Sequence, residues 1–128
     1  FPYPKRTARG VDVNRLQLLL AVLERRCGIA TRASDVYLNV AGGLTLKDPA
    51  ADLGICASLA SAAADIELPS DVCFIGEVGL AGEVRPCART PLRIKEAARL
   101  GFTRAETYPI ETLKISSLRE IVDLFLKR

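Results

Sequence analysis

Apolar positions recur at helical spacing near the start of the chain: Leu16, Leu19, Leu20, Leu23 and Cys27 stand at i, i+3, i+4, i+7 and i+11. This spacing places one buried stripe along a helix. Asp12 supplies an N-cap and Gly28 a stop, so the pattern predicts a helix from Asp12 to about Cys27, with Arg15, Glu24 and Arg25 off the stripe. From Asp35 to Ala41 the period changes to two. Val36, Leu38 and Val40 share one face and Tyr37 and Asn39 the other, as in a half-buried strand. Gly42-Gly43 reads as a turn, and Leu44 to Leu46 as a returning strand. Asp48-Pro49 pairs an N-cap acid with proline at the first helical position, opening a helix to about Ala64. That helix is apolar on nearly every side and is expected to be the central buried one, with Ala57, Ala60, Ala62 and Ala63 letting neighbours pack close.

Asp71 to Gly76 reads as a short buried strand. The glycines of Gly76 to Glu83 (GEVGLAGE) predict a tight hairpin turn, after which Val84 and Arg85 form a strand that Pro86 stops. Thr90-Pro91 opens a helix to about Leu100 that Gly101 caps, with Ile94, Ala97 and Ala98 inward and Arg89, Arg93, Lys95 and Arg99 largely outward. Arg104 to Tyr108 reads as a strand, and Ser116 or Ser117 caps a last helix to Leu126. The mixture predicts an α/β or α+β fold with helices packed on one mixed sheet. Residues 1–10, with two prolines, a glycine and several cations, read as an extended arm or linker, and 11–128 as a single domain.

Composition narrows the chemistry. Of 128 residues, 49% are apolar and 26% charged, which suits one packed domain. Histidine is absent, which excludes imidazole bases and His-ligated metals. The four cysteines, Cys27, Cys56, Cys73 and Cys87, have no pairwise metal or redox spacing and read as small buried hydrophobes. No apolar run approaches the ~18 residues that span a bilayer, so no membrane partner is expected. Methionine is absent, so the chain reads as processed or as part of something longer. The net charge is +3, but residues 1–34 carry seven cations against two anions. Such asymmetry permits a phosphate-facing surface.

Motif chemistry is sparse. Neither a G-x-x-x-x-G-K-[ST] phosphate loop nor a G-x-G-x-x-G after a strand is present, and Ser58 and Ser61 sit mid-helix where a packed or back-bonded hydroxyl is expected. Four segments, VDVNRLQLLLAVLERRCGI, DVYLNVAGGLTLKDPAADLGI, FIGEVGLAGEVRP and RIKEAARLGF, together resemble the C-terminal Lon-protease-like domain of the RadA (Sms) family of bacterial DNA-repair proteins. The resemblance covers most of residues 6–104.

The resemblance implies the fold of the Lon proteolytic domain, related to domain 2 of a small-subunit ribosomal protein. It implies a missing upstream part with a zinc motif and a RecA-like ATPase core, where ATP, magnesium and zinc are expected; residues 1–10 are then the linker from that ATPase domain, and no cofactor is expected in the chain itself. It further implies a hexameric ring of identical copies, sequence-independent DNA contact during recombination and branch migration, recombinase filaments as a further partner, and a bacterial cytoplasm. Active Lon domains use a Ser–Lys dyad. By alignment Ala50 takes the serine position and Pro91 the lysine position, with Lys95 one turn further on. Asp52 adds an anion where an oxyanion would develop. The dyad is therefore expected to be degenerate and the chain not to be an enzyme. Arg25, Arg26, Arg85, Arg89, Arg93 and Arg99 are the candidates for phosphate contact. Two alternatives stay open: a purely structural oligomerisation domain, and an active Ser–Lys peptidase.

Overall fold

A computed structural model describes residues 3–107 and 117–126. The element order is β1 (Arg6–Arg9), α1 (Val13–Cys27), β2 (Val36–Asn39), two short 3-10 turns, α2 (Asp52–Ala64), β3 (Val72–Ile75), β4 (Glu77–Val78), β5 (Val84–Arg85), α3 (Thr90–Arg99), β6 (Arg104–Thr107) and α4 (Leu118–Leu126). Fold class and element order agree with the sequence pattern, and the architecture is α/β. The strands form three two-stranded sheets rather than one: β1 with β2 and β3 with β6 in parallel, β4 with β5 antiparallel.

The core lies between α1, α2 and α4, which pack on one another. Every residue of the stripe on α1 is buried, and Leu16, Leu19 and Leu23 are sealed from solvent. The Asp12 carboxylate accepts the Asn14 N–H at 3.2 Å, and Gly28, at φ 68°, ends the helix. α2 is central, as its composition demands: Leu53, Ile55, Cys56, Ala57, Leu59 and Ala60 are all buried. Ala62 and Ala63 are exposed, however, because α2 emerges from the core over its last turn. Asp65 ends it in the left-handed region, with the Ile66 N–H donating to Ser61 O at 3.2 Å. α4 is capped by Ser117, whose Oγ accepts the Glu120 N–H at 3.4 Å. Ser116 and Tyr108 lie outside the described residues.

Three expectations differ from the structure. Arg6–Arg9, read as part of an arm, is β1, paired in parallel with Val36–Asn39. The Arg6 guanidinium fastens it by donating to Thr31 O at 2.9 Å and to Ser34 O, and the Lys5 N–H donates to Asp35 Oδ1 at 2.7 Å. Leu44–Leu46 is not a strand: a 3-10 turn at Ala41–Gly43, with both glycines at positive φ, carries the chain away, and the Leu46 N–H instead meets Gly10 O at 2.7 Å. On α3, Ala97 is buried and Ile94 half-buried as expected, but Ala98 is exposed because only a narrow stripe of this helix meets β3 and β6.

Candidate functional site

The position that resemblance assigns to a nucleophile lies at the start of α2. The Asp48 carboxylate caps this start, accepting the Ala50 N–H at 3.0 Å. The Ala51 N–H donates to Asp48 O at 3.1 Å, the Asp52 N–H to Pro49 O, and the Leu53 N–H to Gly76 O at 3.0 Å. Gly76 donates in return to Ala50 O at 2.9 Å. The N–H groups that a helix start normally leaves free for an anion are thus each taken within the fold. Ala50 itself is buried and presents a methyl group. Gly76 must be glycine here, because a Cβ would stand 2.8 Å from Val84 Cγ1.

A hollow of about 350 Å³ lies over Ala50, between Glu77 and Cys87 on one side and Arg89 and Arg93 on the other. Pro91 and Lys95 line no part of it, and both are exposed on α3. Its cations are arginines. Arg93 bridges the hollow, donating to Asp48 Oδ2 at 2.6 Å and to Ala88 O at 2.9 Å. The Ala50 N–H first, and then Arg93, hold the Asp48 carboxyl below its usual range.

Behind Ala50 sits a feature that sequence reasoning passed over. Asp52 is 2% exposed, and its carboxylate accepts Arg15 Nε at 3.0 Å, Arg15 Nη2, and the Val78 N–H at 3.1 Å. One side chain therefore ties α2 to α1 and to β4. The bond to Asp52 raises the Arg15 guanidinium above its ordinary value. A buried carboxylate in the first turn of an apolar helix requires such partners, and that was the signal available in the sequence.

The six candidate arginines fall in two places. Arg25 and Arg26 occupy the last turn of α1, where a helix C-terminus favours cations. Arg26 reaches the β4–β5 turn, its Nε 3.5 Å from Leu80 O. Arg85, Arg89, Arg93 and Arg99 belong to the hairpin and α3. Arg85 is paired with Glu83, Arg93 with Asp48 and Arg99 with Glu96, all within the chain. Among the described residues no ion pair engages Arg25, Arg26 or Arg89. The cysteines divide likewise. Cys27 and Cys56 are buried, as expected, and burial pushes both thiols up; Cys73 and Cys87 are only half-buried, because they sit at the margins of β3 and of the loop before α3. Among the described residues no cluster of three metal-ligating side chains occurs, and no helix is long and apolar enough to cross a membrane.

Residues 24–106 match the family of the Lon protease (S16) C-terminal proteolytic domain. The chain is also similar to proteins named DNA repair protein RadA. It is 53% identical to that of Bacillus subtilis over 104 residues, covering 81% of this chain and 23% of the relative. It is 48% identical to that of Rickettsia typhi over 110 residues (86% and 25%), and 42% to that of Halalkalibacterium halodurans over 139 (100% and 30%). The chain thus spans about a quarter of the length of the curated relatives it matches. The chain belongs to the family of Lon-type C-terminal domains, in the branch of that family carried by the RadA DNA-repair proteins.

Proposed function

We propose that this chain is a non-catalytic Lon-type module of a DNA-repair ATPase, which joins copies of the protein into a ring and contacts DNA without reading its sequence. One observation carries the non-catalytic part. The α2 start has a methyl group where a nucleophile is needed, and its N–H groups are bonded to Asp48, Pro49 and Gly76. Acyl transfer needs a nucleophile and free donors aimed at the developing oxyanion. Arg93, already bound to Asp48, is no substitute for a neutral lysine base, because a guanidinium stays protonated.

DNA contact is supported by Arg25, Arg26 and Arg89, whose charge no described carboxylate neutralises, and by the name shared by the relatives. The ring, with six copies, a role in recombination and branch migration, recombinase filaments as partners, ATP, magnesium and zinc in the remainder of the protein, and a bacterial cytoplasm are parts of the same reading. One observation favours the structural alternative for part of the surface: Arg85, Arg93 and Arg99 are each spent on a carboxylate of their own chain.

The test is an anisotropy titration with labelled single- and double-stranded DNA at two salt concentrations, beside a casein-hydrolysis assay. The reading expects salt-sensitive binding and no hydrolysis. Absence of binding at low salt by an oligomeric sample assigns the scaffold role alone. Hydrolysis that Lys95→Ala abolishes overturns the non-catalytic assignment.

A further inference from the structure

The surface carries an apolar groove of about 680 Å³ between α3, β3 and the start of α2. Leu46, Phe74, Leu92, Ala97, Leu100 and Phe102 form its walls. Leu92 and Leu100 stand two turns apart on α3 and are 59% and 62% exposed. Two such leucines facing one groove are not a scatter of single apolar residues on a surface.

The same chain carries a knob. In the β4–β5 turn, Leu80 is 66% exposed. The loop that presents it is firmly held. The Gly79 N–H donates to Glu83 O at 2.9 Å, the Gly82 N–H to Gly79 O at 2.9 Å, the Ala81 N–H to Glu83 Oε1 at 3.1 Å, and the Leu118 N–H to Gly82 O at 2.7 Å. An apolar side chain on an anchored turn loses little freedom when it is buried by a partner. The turn lies against α1 and α4 and contributes no residue to the groove.

Charge matches as well. Glu77 and Glu83 flank Leu80 in the strands of the hairpin, while Arg89, which no described ion pair engages, stands at the mouth of the groove. We infer that Leu80 of one copy seats in the Leu92–Leu100 groove of the next, with the acidic hairpin against Arg89. Because knob and groove are different surfaces, the contact is heterologous, and each copy offers one of each. The inference rests on the self-association put forward above and names the surfaces that make it.

Sedimentation velocity over a concentration series tests it with three samples: the chain, Leu80→Glu, and the double variant Leu92→Glu/Leu100→Glu. All three sites are exposed, and far-UV circular dichroism verifies folding; Leu80→Ala, which adds no charge, is the second knob variant. The unaltered chain is expected to self-associate. Each variant, Leu80→Ala included, is expected to weaken association at least ~30-fold, the scale of a central contact. An equimolar mixture of Leu80→Glu and the double variant retains one intact knob and one intact groove, and is expected to form dimers and nothing larger. If the chain associates and Leu80→Glu and Leu80→Ala do so equally well, the knob assignment fails while self-association stands. A mixture that stays monomeric also overturns the knob-in-groove contact. If the chain is monomeric throughout, both readings fail together.

Discussion

Replacing Arg15 by methionine, which keeps the apolar stem and removes the guanidinium, strips two donors from the Asp52 carboxylate. The Asp52 side chain is 4% exposed and that of Arg15 31%. Breaking a buried ion pair costs about 3–5 kcal/mol when the remaining charge is left dry. Here water can enter from the Arg15 side and the Val78 N–H still donates, so about 2–3 kcal/mol is the expected loss. Asp52→Ala leaves the Val78 N–H without its acceptor, which costs about 1–3 kcal/mol, and removes an acid from the first turn of α2, which costs about 0.3–1 kcal/mol. Its expected loss is therefore also about 3 kcal/mol, or about 10 °C in Tm for a domain of this length. The double variant should lose less than the sum of the singles, with a coupling of about 1.5–2 kcal/mol. Urea unfolding followed by circular dichroism measures all three, as a shift in midpoint at constant slope. Losses below about 1 kcal/mol, or singles that add to within about 0.5 kcal/mol, would refute the reasoning that Asp52 joins α1, α2 and β4.

Asp48→Asn keeps the N-cap acceptor but not the charge beside Arg93. Because the folded state holds Asp48 below its ordinary value, the carboxylate's contribution is complete above the usual carboxylate range and fades as pH falls through the depressed folded value. The stability difference between the chain and Asp48→Asn should therefore shrink below about pH 4; a difference constant from pH 7 to pH 2 contradicts this. Gly10→Ala should destabilise by about 3 kcal/mol in a urea titration. Gly10 has φ 84°, and a Cβ there would stand 2.4 Å from Leu44 O and 2.7 Å from Val40 Cβ. A maleimide reagent with mass detection should label Cys73 and Cys87 in the folded chain, and Cys27 and Cys56 only in denaturant, since the latter pair are buried and their thiolates suppressed; rapid labelling of Cys56 in the native state runs against the packing described.

The helices were legible where side chains alone decide the structure. The α1 stripe, the Asp48-Pro49 start and the glycine-rich hairpin each carry their signal within a few residues. β1 was not legible, because Arg-Thr-Ala-Arg shows no apolar face and its ladder to β2 is made by the main chain across some thirty positions of sequence. Leu44–Leu46 has a strand-like pattern, but the preceding glycines turn the backbone away from a partner. At the site, Ala50 and Pro91 could be placed from sequence, yet the bonds that occupy the α2 start come from Gly76, far along the chain. The arginines were visible as charges, and their neutralisation only partly so. Arg85–Glu83 and Arg99–Glu96 are near neighbours in sequence, whereas Arg93–Asp48 is a contact across 45 positions. Asp52 and Arg15 are likewise 37 apart and meet only when α1 packs on α2.

The central claim, a non-catalytic domain that holds DNA through cations left unpaired by the fold, is tested most directly by the salt dependence of DNA affinity in the chain and in Arg25→Ala/Arg26→Ala/Arg89→Ala. Affinity should fall with salt along a log–log slope of about 0.9 per phosphate contact on double-stranded DNA, and the triple variant should lose up to about three such contacts from that slope. Equal slopes and affinities for the two proteins would contradict the assignment and move DNA contact to other surfaces.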